Sequence, residues 1–162
     1  MKIIIIVRHA KSSWEFDVID HERPLKYKGH KDAHLVSKEF NTLSQPVDLL
    51  LCSDAIRTKL TSEIFISNLN LDKRIVHYNH DLYDFSGENL IKVIKNCDDS
   101  ISNLMVFGHN HAITAFVNNY GSVQIDNVPT CGVVIIEFNI DKWELLNQGE
   151  TLKILFPRDL KI

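Results

Sequence analysis

The chain has 162 residues, of which 44% are hydrophobic and 24% charged, and its formal net charge is −3. These values fit a single globular domain, residues 1–162, with a sizeable core. They argue against a nucleic-acid-binding or membrane-surface protein, since both classes usually carry an excess of basic residues.

Strand-like and helix-like segments alternate along the chain. In chain order, the pattern predicts a strand over Lys2–Val7, a polar loop over Lys11–Pro24, a helix over Lys28–Leu43, a strand over Val47–Cys52, a helix over Ala55–Asn68, a strand over Arg74–His77, a helix over Gly87–Asn96 with Ser86 as its N-cap, a strand over Asn103–Phe107, a helix over Ala112–Asn119, and strands over Val133–Phe138, Trp143–Asn147 and Leu152–Leu155. This order predicts a three-layer α/β/α sandwich with a mostly parallel sheet. A hairpin of Val133–Phe138 with Trp143–Asn147 would add at least one antiparallel strand.

The amino-terminal apolar run and the cysteines both indicate the cellular compartment in which the protein works. Ile3–Val7 is too short for a signal-peptide core or a membrane span, and no small-residue cleavage site follows it. Cys52, Cys97 and Cys131 are an odd number and form no CxxC pair, which argues against structural disulfides and a thiolate zinc site. We therefore expect a cytoplasmic protein.

Cationic or imidazole side chains follow three of the predicted strands. The first strand runs directly into Arg8-His9, the second is followed by Ser53 and Arg57, and a later one ends at Gly108-His109. Because the carboxyl ends of parallel strands share one edge of a sheet, we expect these side chains to meet in one pocket. Helix N-termini nearby would add backbone N–H donors. Such a pocket suits a dianion, phosphate above all, since a guanidinium binds phosphate oxygens in pairs.

Arg57 adds an electrostatic argument of its own. It falls in the first turn of a predicted helix, where a positive charge opposes the helix dipole. An anion held beside Arg57 would remove this conflict, which favours an anion site over a surface arginine.

The ordered motifs resemble those of a known family. Arg8-His9-Ala10, then Ser53-x-x-x-Arg57-Thr58, then Gly108-His109-Asn110 resemble the histidine phosphatase superfamily, whose fold is phosphoglycerate-mutase-like. The segment Asp20–Leu25, with Gly29 and Asp32-Ala33, is similar to the short SixA-type phosphohistidine phosphatases.

The resemblance implies a role for each matching residue. His9 would be the nucleophile that forms a phosphohistidine intermediate, while Arg8, Arg57 and His109 would hold the phosphoryl oxygens. Arg23 and Asn110 would be further phosphate contacts. The positive charges would lower the pKa of His9 and keep its attacking nitrogen unprotonated. The reaction would need neither a metal ion nor another cofactor.

Two departures from the family pattern matter. Ala10 stands where glycine is usual, which is tolerable unless that position needs a positive φ. No carboxylate matches the general acid of the larger family members with its flanking pattern, so Asp20, Glu22, Asp81, Asp84 and Glu88 all stay open for that role. A missing acid is consistent with a phosphoramidate substrate, because histidine leaves more readily than an alcohol.

These observations leave three functions, in order of preference. The first is a metal-independent phosphatase that acts on phosphohistidine in a protein domain, and the second is a general phosphatase for small phosphate esters. The third is a non-catalytic phosphoprotein-binding module. In each case the pocket should accept phosphate or sulfate, and no nucleic acid or membrane is implied. The histidine pairs His30/His34 and His109/His111 lack the H-E-x-x-H pattern of a metal site.

Overall fold

A six-stranded sheet runs through the computed structural model, which describes residues 1–161. The strands are β1 (Lys2–Arg8), β2 (Leu49–Cys52), β3 (Val76–Tyr78), β4 (Asn103–Gly108), β5 (Val133–Phe138) and β6 (Glu150–Leu155), in the spatial order β3-β2-β4-β1-β5-β6. Neighbours from β3 to β1 are parallel, whereas β5 runs antiparallel to both β1 and β6. The predicted mixed, mostly parallel sheet is confirmed.

Helices cover both faces of this sheet. They are α1 (Tyr27–Thr42), α2 (Ile56–Leu69), α3 (Glu88–Lys95), α4 (Ala112–Tyr120) and the short α5 (Pro157–Leu160). Along β1, Ile4 and Ile6 join a core with α3 and α4, while Ile5 and Val7 join a second core with α1 and α2. Because successive side chains of a strand alternate between faces, the apolar run of β1 serves both cores. The three-layer α/β/α prediction is confirmed.

The register of the sheet places three strand ends at one edge. Arg8 is level with Gly108 across β1 and β4, and Cys52 is level with Phe107 across β2 and β4. The ladder continues past the strands, since the His9 N–H donates to the Gly108 carbonyl at 3.2 Å. The segments that follow β1, β2 and β4 therefore begin side by side.

The predicted strand over Trp143–Asn147 is wrong. Residues Trp143–Leu145 form a 3₁₀ turn, and the partner of β5 in the antiparallel hairpin is β6. Trp143 and Leu146 are buried while the two residues between them are exposed, a spacing of three that belongs to a helical turn. The indole Nε1 of Trp143 also donates to the Ile101 carbonyl at 3.0 Å, which fixes the side chain against the residues just before β4.

The N-terminus of α3 also differs from the prediction. Its N-cap is Gly87, with φ of 100°, and Ser86 lies one residue earlier. The Asp84 carboxylate accepts hydrogen bonds from the backbone N–H groups of Gly87, Asn89 and Leu90 at 3.0 to 3.1 Å. Asp84 therefore caps the helix, a common task for a carboxylate just before a helix.

No helix in residues 1–161 combines the length and the apolar character needed to cross a membrane. The three cysteines are unpaired, with Cys52 and Cys131 buried. The cytoplasmic location stays a prediction.

Gly29 in α1 holds the first loop close to the helix. A Cβ at this position would overlap the Lys11 carbonyl oxygen and lie 3.0 Å from the Lys11 nitrogen. That carbonyl accepts a hydrogen bond from the Lys26 N–H at 2.9 Å. We expect Gly29→Ala to lower the free energy of unfolding by about 1–3 kcal/mol, because overpacking forces the loop away from the helix. Urea denaturation measures the change.

Lys38→Ala is the matched control, since Lys38 is exposed on the same helix. It should change the free energy of unfolding by no more than about 0.5 kcal/mol. Equal stability of Gly29→Ala and the native protein would contradict the tight contact between α1 and Lys11.

Candidate active site

His9 is buried at the carboxyl end of β1, with 7% of its surface exposed. Its Nδ1 lies 2.7 Å from the Ala10 carbonyl oxygen. Because a carbonyl can only accept, Nδ1 carries the proton and Nε2 is left with a free lone pair. The Arg57 Nε–H points at this Nε2 from 3.4 Å. The fold thus fixes both the tautomer and the direction of the imidazole.

The main chain at Ala10 is anchored without strain. Its N–H donates to the Thr61 hydroxyl of α2 at 2.9 Å. The non-glycine residues with positive φ in residues 1–161 are Ser44, Asn70 and Cys131, so Ala10 is not one of them. The methyl group that replaces the usual glycine hydrogen is therefore accommodated.

Arg57 is a buried guanidinium, 2% exposed, at the second position of α2. It donates to the backbone oxygen of Asp20 at 2.7 Å and to the Asp20 carboxylate at 3.0 Å. The anion expected beside Arg57 is thus supplied, in this structure, by the protein itself. Asp20 lies on a 3₁₀ turn, Asp20–Glu22, in the first loop.

Two more arginines lie around the same position. The Arg8 Nη1 donates to the Val128 carbonyl at 2.8 Å, while its buried Nε has no hydrogen-bond partner among residues 1–161. Arg23 is buried, donates to the Ser12 hydroxyl at 2.7 Å and to the Asp20 carboxylate at 3.1 Å, and lies under the Trp14 ring at 3.6 Å. Its guanidinium is thus held by the first loop and pairs with the same carboxylate as Arg57.

His109 faces His9 across the pocket. The ring centroids are 5.3 Å apart, and His109 Nε2 lies 2.8 Å from the Ser53 hydroxyl oxygen. The other ring nitrogen, Nδ1, is buried without a hydrogen-bond partner in the described part of the chain. Buried polar atoms are normally satisfied, so this nitrogen and the Arg8 Nε are two exceptions among the described residues.

The electrostatics of the pocket keep both imidazoles neutral. Burial is the main reason that the pKa of His9 is lowered to about 3. The nearby arginines also lower this pKa, whereas the hydrogen bond to Ala10 acts in the opposite direction. Burial and the neighbouring His9 lower the pKa of His109 to about 2. Burial and Arg57 also lower the pKa of Arg8. The site is a cationic pocket around an unprotonated imidazole nitrogen.

Asp20 is the carboxylate that pairs with the arginines of the pocket. Burial alone would raise its pKa, but hydrogen bonds from Tyr83, Arg57 and Arg23 lower it far below the ordinary range. It is therefore ionised at neutral pH and acts here as a counter-ion, not as a proton donor. Glu22 and Glu88 are exposed, and Asp84 is engaged in the helix cap described above.

Asn110 lies one residue beyond the pocket histidine. Its side-chain amide donates to Asn127 at 2.7 Å, and its carbonyl accepts from the Thr114 hydroxyl at 2.8 Å. These bonds fix the start of α4, and the phosphate contact inferred from resemblance stays a prediction. His111 is exposed.

Tyr83 is a pocket residue that the sequence did not single out. Its hydroxyl donates to the Asp20 carboxylate at 2.5 Å, and its ring lies edge-on to His109 with centroids 5.3 Å apart. It follows β3, the fourth strand to end at this edge. A search of every predicted strand end for polar side chains could have found it.

Comparison with known proteins finds a matching family model and similar chains. A family model described as histidine phosphatase superfamily (branch 1) matches residues 4–89, more than half of the chain. An uncharacterised chloroplast protein of Arabidopsis thaliana is 29% identical over 150 residues, which cover 87% of this chain and 68% of that protein.

Two solved structures resemble the whole chain. The protein histidine phosphatase SixA, complexed with tungstate, has a TM-score of 0.80 and 18% identity, covering 98% of this chain and 99% of that one. A mycobacterial glucosyl-3-phosphoglycerate phosphatase has a TM-score of 0.66 and 11% identity, covering 93% and 97%. At these identities the likeness shows a shared fold, and it confirms the predicted fold family.

The low pKa values of His9 and His109 can be measured directly. Both imidazoles should stay neutral as the pH is lowered to about 5, because a histidine with a depressed pKa accepts its proton only at more acidic pH. Nitrogen-15 NMR of the imidazole resonances follows the titration. His9→Ala and His109→Ala assign the two signals by their loss. Protonation of His9 between pH 6 and 7 would contradict the electrostatics described above.

Proposed function

We propose that this chain, which belongs to the histidine phosphatase superfamily (branch 1), is a phosphatase that removes the phosphoryl group from phosphohistidine in a protein domain. His9 is the nucleophile of the proposed reaction. Arg8, Arg57 and His109 bind the phosphoryl oxygens, and Arg23 supports them from the first loop. The reaction uses no metal ion.

One observation carries the proposal. His9 Nε2 is unprotonated and held in place by the Nδ1 hydrogen bond to Ala10, and the Arg57 guanidinium lies beside it. A nucleophile and its positive charges are thus arranged before substrate arrives, in a buried site where electrostatic interactions are strong. A pocket that only bound phosphate would not need a free nitrogen lone pair in its floor.

The proposed reaction has two displacements at phosphorus. His9 Nε2 forms a bond to phosphorus while the bond from phosphorus to the substrate imidazole breaks. A water molecule then attacks phosphorus, the bond to His9 breaks, and inorganic phosphate leaves with the water oxygen. In the transition state of each displacement the negative charge is spread over the three equatorial phosphoryl oxygens, and Arg8 and Arg57 stabilise it there.

The state of Asp20 supports phosphohistidine over an alkyl ester as the substrate. An alkoxide leaves only with a proton from an acid, whereas a phosphoimidazole protonated on its other ring nitrogen leaves as neutral imidazole. Asp20 is held ionised by two arginines and Tyr83, so it is a poor proton donor in this arrangement. The pocket is therefore better suited to the phosphoramidate.

The surroundings of the pocket support a substrate carried on a protein. Trp14 and Phe16, on the loop that carries Arg23, are 77% and 54% exposed. Large exposed aromatic side chains are enriched at protein interfaces. A phosphorylated domain that docks over the pocket would contact this loop.

His9→Ala tests the nucleophile and the substrate together. The native protein should dephosphorylate a phosphohistidine-bearing carrier domain in chelator, and turn over p-nitrophenyl phosphate at least tenfold less efficiently. His9→Ala should lose more than about 10³-fold in rate on the carrier, because no covalent intermediate can form. Phosphate release and radiolabelled phosphoenzyme are the readouts.

His111→Ala is the matched control, an exposed histidine near the pocket that should keep most of the activity. Turnover by His9→Ala equal to the native rate would disprove the nucleophile assignment. Turnover of the ester alone would point to a general phosphatase, and phosphate binding without turnover to a binding module.

Asp20→Asn tests whether the carboxylate competes with the substrate. Asp20 occupies donors of Arg57 and Arg23, so an incoming oxyanion must displace it or share them. Removing its charge should tighten tungstate binding about three- to tenfold, a modest gain because Asp20 is partly exposed. Competitive inhibition of turnover gives the affinity.

Glu22→Gln is the control, because Glu22 is exposed on the same turn. It should leave tungstate binding nearly unchanged. Weaker binding to Asp20→Asn would mean that the carboxylate positions the arginines for the anion, and would overturn the competition.

A further inference from the structure

A second cluster of ligating side chains lies beside the phosphate pocket. His21 Nε2 is 2.8 Å from one oxygen of the Asp54 carboxylate, and His80 Nδ1 is 3.0 Å from both. The three ligating atoms lie within 4.8 Å of one another. The residues come from three separate segments: the turn Asp20–Glu22, the segment after β2, and the 3₁₀ turn His80–Leu82 after β3.

We propose that His21, Asp54 and His80 bind one divalent transition-metal ion of the Zn²⁺ class. Two imidazoles and one carboxylate are a ligand set that such ions favour over Mg²⁺ or Ca²⁺. This site goes beyond the proposed phosphatase reaction, which uses none of the three side chains. It also departs from the expectation of no metal drawn from the sequence.

The charge of the cluster suits a cation. The Asp54 carboxylate lies at its centre, 2.8 Å from His21 Nε2 and 3.0 Å from His80 Nδ1. When neutral, each imidazole has one nitrogen with a lone pair, so a metal ion can take the place of the protons now shared with Asp54.

The geometry allows an ion to enter without rebuilding the fold. Ligand atoms in a tetrahedral zinc site are about 3.4 Å apart. Asp54 lies 2.8 Å from His21 and 3.0 Å from His80, so an ion would move these atoms apart by only about half an ångström. The His80 side chain is 70% exposed, so it can turn toward the ion and leaves access from solvent. The His21 ring is held by edge-on contact with Tyr83, with centroids 4.9 Å apart. One ligand is thus fixed and another adjustable.

The other histidine groups are poorer candidates. His30 and His34 are exposed on α1, and neither joins a group of three ligating side chains among residues 1–161. His9 and His109 stand among arginines that repel a cation. The cluster of His21, Asp54 and His80 has an anion at its centre.

Bound metal would join the first loop to the segments after β2 and β3. An ion that binds only the folded chain stabilises it. Binding should therefore raise the melting temperature of the native protein, and His80→Ala should lose that rise. This readout does not depend on phosphatase activity.

Zinc titration of chelator-treated protein tests the site. Calorimetry should find one high-affinity Zn²⁺ per chain, and Co²⁺ should give visible d–d absorption with the same stoichiometry. His80→Ala and Asp54→Asn should each weaken binding at least tenfold. His80 is exposed, so its variant should fold.

The controls separate this site from the rest of the molecule. The double variant His30→Ala/His34→Ala should keep the native affinity, and so should His9→Ala, which removes the proposed nucleophile. Absence of Zn²⁺ binding by the native protein would overturn the proposal, as would unchanged binding by His80→Ala. Loss of binding in His9→Ala would place the ion in the phosphate pocket instead.

Discussion

The pocket depends on one electrostatic constraint, a buried guanidinium that needs an anion. Arg57 is 2% exposed and lies at the second position of α2, where the helix dipole is also positive. A buried charge is costly unless it is paired. In this structure the Asp20 carboxylate meets that need. In the proposed reaction a phosphoryl group meets it, so the force that holds the first loop in place also attracts the substrate.

Burial and the same charges suit His9 to the nucleophilic role that we propose for it. An imidazole in water is partly protonated near neutral pH, and its protonated form cannot attack phosphorus. Burial is the largest influence that lowers the pKa of His9, and the arginines act in the same direction. The Ala10 carbonyl then determines which nitrogen is free. Burial, charge and one backbone oxygen together leave Nε2 of His9 unprotonated and fixed in direction, as the proposed reaction requires.

The part of this arrangement that follows from strand order could be predicted from the sequence. Arg8 ends β1, while His9 and His109 directly follow β1 and β4, and the parallel register then brings them to one edge of the sheet. The bond of Asp20 to Arg57 joins residues 37 positions apart and depends on how the first loop folds back. No local pattern encodes that path. Trp143 was misassigned because a short apolar segment fits a strand as well as a buried 3₁₀ turn.

The turn Asp20–Glu22 connects the two sites that we propose. Asp20 contacts Arg57 and Tyr83, whereas the next residue, His21, contacts Asp54 and lies edge-on to the same Tyr83. Neighbouring residues of one short turn cannot move far independently. A ligand that holds His21 on Asp54 therefore also restrains Asp20 on Arg57, and an oxyanion that displaces Asp20 disturbs His21. Linkage requires any such effect to be equal in both directions, so metal affinity and phosphate affinity should change by the same factor.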